Sequence, residues 1–230
     1  MPMARKEAGF ALIEVAVVIV IAGLLMGWVM KGMELITSAR VRNLITQQDG
    51  FRTAYMGFYD RFRALPGDYN QAATSIAGIT GCGGNGNGDG RIEDAASAPP
   101  STEYILVWEH LSKSGFITGS YTCDATESPA TTPINPFGVL LNLAWDAAYA
   151  PLGPPAPSPR HNLKTGNQIP SDILAEIDRK IDDGNATAGS FRFSSYDGGA
   201  GAPNPAKCFL PTGQWNSQTP EANCGATTLL

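Results

Sequence analysis

The sequence predicts an α+β protein in which one long N-terminal helix precedes a loop-rich head with a small antiparallel sheet. Residues 10–30 are almost wholly apolar, and residues 31–64 keep apolar side chains at three- and four-residue steps. The rest of the chain is rich in Gly, Pro, Ser, Thr and Asn and contains short alternating segments. A length of 230 residues suffices for one globular domain and an extended element.

Charge and motifs narrow the class of function. The formal net charge is −5 and there is no basic patch, which argues against nucleic-acid binding because Lys and Arg must replace counterions. His110 and His161 are the two histidines, so a histidine-based centre has few ligands to draw on. No Walker A, GxSxG or HExxH motif occurs, and the GxGxxG match at 81–86 neither follows a strand nor opens a helix. We expect a protein that is not an enzyme.

The first 30 residues have the pattern of a membrane helix. Glu14 is the one charged residue between Phe10 and Met30, and about 20 apolar residues span a bilayer as a helix. Arg5 and Lys6 precede the apolar run, which keeps that end in the cytoplasm. The remainder of the chain should then lie outside the cytoplasm.

Glu14 distinguishes a plain anchor from a functional helix. A carboxylate costs about 2.5–3.5 kcal/mol at the centre of a bilayer and less near its surface. One interpretation is a tolerated glutamate at the membrane interface. The other is a carboxylate that the protein uses, because ionisable residues within a membrane are functional candidates by default.

The segment Gly9-Phe10-Ala11-Leu12-Ile13-Glu14 resembles the class III signal of type IV prepilins and pseudopilins. The resemblance implies that a prepilin peptidase cuts between Gly9 and Phe10 and that Phe10 is N-methylated. It also implies that Glu14 pairs with the N-terminus of a neighbouring subunit during assembly. A buried carboxylate opposite a buried ammonium sets axial register, because an unpaired charge in an apolar core is penalised. Ala11 stands where the family more often has Thr.

This resemblance also implies a domain plan and a location. The leader covers 1–9, the membrane or filament-core half of the helix 10–30, its amphipathic half 31–64 and the head 65–230. The precursor would reside in the inner membrane, since the cut precedes the apolar run, whereas a general secretory signal is cut after it. Copies of the chain would then form an extracellular filament with the help of pilus assembly machinery. A pseudopilin of a type II secretion system and a membrane-anchored periplasmic binding protein are the alternatives.

The helical pattern is expected to run from Phe10 to about Arg63, where Leu65-Pro66-Gly67-Asp68 breaks it. An aromatic stripe on its second half is predicted to attach the helix to the head. The stripe consists of Phe51, Tyr55, Phe58, Tyr59 and Phe62.

Within the head, two helices and four strands are predicted. The helices are expected at about Ser101–Ser114 and at 171–183, with Gly184 as a stop signal. The strand candidates are 116–122, 137–145, 189–194 and 206–211. Four stretches of the head resemble a subfamily of proteobacterial pilin-like proteins: residues 64–68, 86–92, 108–111 and 178–184.

Four cysteines, Cys82, Cys123, Cys208 and Cys224, all follow the apolar run. None forms a CxxC pair, so a zinc knuckle or thioredoxin-like motif is not expected. An even number in a chain outside the cytoplasm fits two disulfides. Three connectivities are open, and we favour the sequence-local pairs Cys82–Cys123 and Cys208–Cys224.

A Gly/Asn-rich loop resembles the first half of an EF-hand-type calcium loop. Asn85, Asn87 and Asp89 place oxygens at positions 1, 3 and 5, and Gly90 follows at position 6. Arg91 would add its carbonyl oxygen at position 7, but position 12 is Ala96 instead of a bidentate Glu. Glu93, Asp94 or Glu103 could supply the missing carboxylate. The alternatives are a structural Ca²⁺ ion of extracellular, millimolar affinity and a turn that binds no ion.

Overall fold

The computed structural model describes residues 8–93, 102–151, 155–199 and 201–230, with side chains from residue 12 onward. Arg5, Lys6, Asp94, Ala96 and most of the predicted leader lie outside these residues. By its contacts the chain divides into two compact units, Met1–Arg42 and Asn43–Leu230. The second unit contains both the head and the C-terminal part of the first helix.

Helix α1 runs from Ala8 to Phe62 and has 55 residues. The helix ends where Arg63 adopts a left-handed backbone conformation with φ of 54°. Pro66, three residues later, cannot continue the helix. The predicted long helix is therefore confirmed. Within the first unit, Lys31 and Glu34 form an exposed ion pair of 2.7 Å.

The head combines short helices with one sheet. The helices are α2 (Ala72–Ser75), α3 (Glu103–Lys113), α4 (Ser171–Ile181) and α5 (Pro205–Cys208), with a 3₁₀ turn at Gly81–Gly83. The strands are β1 (Asn142–Asp146), β2 (Arg160–Lys164), β3 (Phe191–Phe193) and β4 (Ala226–Leu229). They form a four-stranded antiparallel sheet in the order β1-β2-β4-β3. This confirms the predicted α+β class with a small antiparallel sheet.

The core forms where the C-terminal part of α1 meets α3 and the sheet. Phe58 is fully buried, and Phe51 makes an edge contact with Trp108 of α3 at 5.2 Å between ring centroids. Four of the five aromatic residues on α1 contact the core as predicted, whereas Tyr59 is 45% exposed. From the sheet, Leu143 and Leu163 enter the core. Burial of large apolar side chains such as these provides about 1.5–3 kcal/mol each.

Two disulfides close loops of the head. Cys82 is bonded to Cys123 and Cys208 to Cys224, which is the sequence-local arrangement. The first loop joins the 3₁₀ turn to the segment after α3. Closing a loop of 41 residues removes conformational freedom from the unfolded chain worth about 4 kcal/mol.

Two of the four predicted strands were wrong. Residues 116–122 form bends and irregular loop, and 206–211 overlaps α5, which begins where the Asn204 side chain accepts the amide of Ala206. Strand β1 starts at Asn142, so the first half of the predicted 137–145 strand is loop. Strands β2 and β4 were not predicted, because the polar sequences Arg160–Lys164 and Ala226–Leu229 do not show the expected apolar alternation.

Candidate functional site

The N-terminal part of α1 exposes apolar side chains in every direction. All residues from Leu12 to Met30 are exposed, including Trp28 at 77%. The most apolar window of the helix has a mean hydropathy of 2.6 and none of it is buried. By length and composition this is the one helix among the described residues that could cross a membrane. Apolar surface of this extent is unfavourable in water and is typical of segments that contact lipid or other protein.

The predicted processing and assembly residues lie together at the start of α1. Gly9 and Phe10 belong to its helical backbone, although their side-chain surroundings lie outside the described residues. Glu14 follows Phe10 by four residues, so both lie on the same face of the helix. Among the described residues, no hydrogen bond or ion pair involves the exposed Glu14 carboxylate.

Comparison with known proteins bears on this segment. Residues 4–30 match the family model of the prokaryotic N-terminal methylation motif. No curated protein and no solved structure matches the chain. The chain thus carries a class III signal like that of type IV prepilin-like proteins. Its long helix, small antiparallel sheet and two disulfides are consistent with a pilin fold.

The Gly/Asn loop is organised around a carboxylate that the sequence analysis did not single out for the loop. Asp68 accepts the amides of Gly88, Asp89 and Gly90 at 2.7, 3.0 and 2.9 Å. Glu103 of α3 adds a second attachment, because it accepts the amides of Asn87 and Glu93 at 2.8 and 3.1 Å.

Burial acts on both of these carboxyl groups. It raises the pKa of Glu103 to about 7, against the lowering effect of the two amides that it accepts. The pKa of Asp68 is raised for the same reason. Neighbouring carboxylates add to both shifts. Asp68 and Glu93 raise the pKa of Glu103, and Asp89 raises that of Asp68. A raised pKa favours the neutral, protonated form of each carboxyl group.

The predicted calcium ligands lie in the same loop, and most of their oxygens already accept amides. Asn85 accepts the amide of Ala73 at 2.9 Å, Asn87 that of Asp89 at 2.8 Å, and Asp89 that of Arg91 at 2.9 Å. Among the described residues, the loop has no three carboxylates with oxygens within 4.8 Å of one another. A calcium ion here would depend on amide and carbonyl oxygens as well as on Asp89, Glu93 or Glu103.

Calcium binding stays a prediction for this loop. We expect millimolar Ca²⁺ to raise the melting temperature of the full chain in detergent and EGTA to reverse the rise, because the ion would bind the folded loop only. Asp89→Asn should reduce the shift, whereas Asp172→Asn, an exposed aspartate on α4, should retain it. Identical melting curves with Ca²⁺ and with EGTA would exclude the site.

Glu109 of α3 is a buried carboxylate that holds the first disulfide loop. Its residue is fully buried, and its oxygens accept the amides of Thr80, Gly81 and Cys123 at 2.8, 3.2 and 2.9 Å. Gly81 precedes Cys82, and Cys123 is the cysteine to which Cys82 is bonded. One signal of this role is visible in the sequence, a Glu within the largely apolar stretch 104–111.

His110, the next residue of α3, links two further loops. Its Nδ1 accepts the amide of Gly67 at 2.9 Å, which leaves Nε2 to donate to the carbonyl of Gly84 at 3.1 Å. The ring stacks on Phe58 at 6.0 Å. Burial lowers the pKa of His110 to about 4, because the neutral ring is favoured where water is excluded.

This arrangement predicts a pH dependence of stability. The pKa of His110 in the folded chain lies below its unfolded value of about 6.5, so the contribution of this residue to stability is fully present above pH 6.5. That contribution is lost as the pH falls towards about 4, since in this range the unfolded chain binds a proton at His110 and the folded chain does not. We expect His110→Asn to lower stability at pH 7.5 and this deficit to shrink by about 1–3 kcal/mol at pH 4.5. Urea unfolding of the variant and of the unsubstituted chain at several pH values measures this deficit. A deficit that is independent of pH would contradict the role of His110.

A group of three carboxylates lies at the end of α4. Oxygens of Asp178, Asp182 and Asp183 lie within 4.8 Å of one another. Asp178 accepts the indole N–H of Trp215 at 2.7 Å, and burial raises its pKa to about 6. Asp182 accepts the amides of Ser190 and Phe191. These bonds give the carboxylates a structural role at the end of the helix.

Proposed function

We propose that this protein is a structural subunit of a type IV pilus or a pilus-like filament. The observation that carries the proposal is the methylation motif at residues 4–30, joined to an exposed apolar helix in which Glu14 is the one carboxylate between Phe10 and Met30. A prepilin peptidase would cut between Gly9 and Phe10, and Phe10 would be N-methylated. The same apolar surface would lie in the inner membrane before assembly and in the filament core afterwards.

Polymerisation would follow from charge pairing within that apolar core. After cleavage the chain begins with an amine at Phe10, one helical turn from Glu14 on the same face. Within one helix the carboxylate would be drawn to its own N-terminus, whereas a neighbour shifted along the axis can offer its amine instead. Each added subunit would then satisfy the charge of the preceding one, which sets the axial step.

A pseudopilin of a type II secretion system shares the signal, the helix and the peptidase. The two proposals differ in location, since a pilin forms filaments outside the cell and a pseudopilin stays in the periplasm. The size of the head and its two disulfides favour a surface filament.

Location is tested by shearing cells, collecting filaments and probing the fractions with an antibody against the head. Chain in the sheared fraction and gold label along filaments would support the pilus. Processed chain confined to the cell envelope would favour the pseudopilin, and unprocessed chain in the inner membrane would favour an anchored binding protein.

A further inference from the structure

The sheet of the head contains a buried lysine on the face opposite to Leu143 and Leu163. Lys164 ends β2 and lies directly across from Asn142, the first residue of β1. The lysine side chain is 2% exposed, and Asn142 is 4% exposed. An ammonium group removed from water is costly unless it finds partners, so the surroundings of Nζ determine its chemistry.

The carboxamide of Asn142 lies between an amine and a carboxyl group. Lys164 Nζ is 2.9 Å from Asn142 Oδ1, and Asn142 Nδ2 is 3.2 Å from Glu127 Oε1. Nζ also contacts Asp146 Oδ2 at 2.5 Å. The hydroxyl of Tyr196 donates to the other oxygen of Glu127 at 2.8 Å, and its ring lies 5.7 Å from Nζ.

We propose that Lys164 and Asn142 form an intramolecular isopeptide bond between Nζ and Cγ, with release of ammonia. The carbon that would be attacked is bonded to the oxygen that Nζ already contacts. Asp146 alone would suffice to pair the ammonium in a simple buried ion pair. The additional carboxyl group at the nitrogen of Asn142 is what a leaving amine requires.

The groups present can carry each proton of the reaction. Asp146 accepts a proton from the Lys164 ammonium, and the neutral amine adds to Cγ of Asn142. Glu127 protonates Nδ2, so that the C–N bond breaks and ammonia leaves. The attacking nitrogen then returns a proton to Glu127, and the proton on Asp146 passes to ammonia. One ammonium and one carboxamide thereby become one secondary amide and one ammonium ion.

The site is suited to such a step in two ways. Burial raises the pKa of Glu127, which favours the protonated form that acts as acid, although Tyr196, Asn142 and Lys164 oppose the shift. The antiparallel register also fixes Lys164 and Asn142 opposite each other, so the reacting groups are held together by the fold. The bond would join β1 to β2, strands that neither disulfide connects.

Mass spectrometry of the full chain, purified in detergent, reduced and denatured, tests the proposal. We expect a mass about 17 Da below that of the same chain without the bond, the difference being one ammonia. Proteolysis should yield one branched peptide that contains both Asn142 and Lys164. A chain of full mass that yields these residues on separate unmodified peptides would overturn the proposal. Because the readout is covalent mass, it is independent of whether the protein forms filaments.

Two variants assign the roles. Glu127→Gln keeps the shape of the side chain but removes the acid. This variant should therefore form no bond between Lys164 and Asn142 and should have the full mass. Lys180→Gln removes an exposed lysine of α4 that pairs with Glu176, and it should still show the loss. A Glu127→Gln chain that also lacks about 17 Da would overturn the assignment of Glu127 as the acid.

Discussion

Glu14→Ala is expected to abolish filament assembly while leaving cleavage at Gly9–Phe10 largely intact. In the proposed filament the variant would leave the N-terminal ammonium of a neighbour unpaired within an apolar core. Removing one partner of a buried charge pair costs about 3–5 kcal/mol, which exceeds a hundredfold in an association constant. Sheared filaments should be lost, and processed subunit should accumulate in the membrane.

Glu34→Ala is the matched control for this experiment. Glu34 lies on the same helix, but it is exposed and follows the apolar run. It pairs with Lys31, three residues before it, at 2.7 Å. A fully exposed ion pair contributes little because water screens it, so this variant should assemble. Normal filaments from Glu14→Ala would contradict the charge-pairing account, as would equal loss of filaments in both variants.

Glu109→Ala is expected to give the largest loss of stability in the head. The change removes the acceptor of three amides, of which those of Gly81 and Cys123 are buried. An unsatisfied buried donor costs about 1–3 kcal/mol, so we expect a loss of roughly 3–5 kcal/mol. In a chain of this size the melting temperature should fall by roughly 6–20 °C.

The control for Glu109→Ala is Glu176→Ala on α4. Glu176 is also a helical glutamate, but its side chain is 41% exposed and pairs with Lys180 on the surface. Its loss should change stability by less than about 0.5 kcal/mol. Thermal unfolding followed by circular dichroism measures both variants, and similar melting temperatures for the two would show that Glu109 does not hold the disulfide loop.

The sequence predicted the elements whose signals are local. Helix α1 was predictable because its apolar run, its three- and four-residue spacing and the Pro66 break are contained in one segment. Helices α3 and α4 were predictable for the same reason. Strands β2 and β4 were not, since Lys164, Asn162 and Thr227 are buried there through contacts with distant parts of the chain.

The functional residues also fall into those with a local signal in the sequence and those that only the fold brings together. Gly9, Phe10 and Glu14 are contiguous, so their pattern is visible without a structure. Asp68 and Glu109 accept amides that are 14 or more residues away, and no spacing rule connects a carboxylate to such donors. The proximity of Asn142, Lys164 and Glu127 likewise depends on the register of β1 with β2 and on the loop before β1.

Processing of the chain as a prepilin can be tested by the mass of its N-terminal peptide. The peptide should be taken from material sheared from cells and, separately, from the membrane fraction. The account predicts a mature chain that begins at N-methylated Phe10, with Glu14 five residues into its sequence. A chain that still begins at Met1 and occurs in membranes alone would contradict it and would identify an uncleaved anchor.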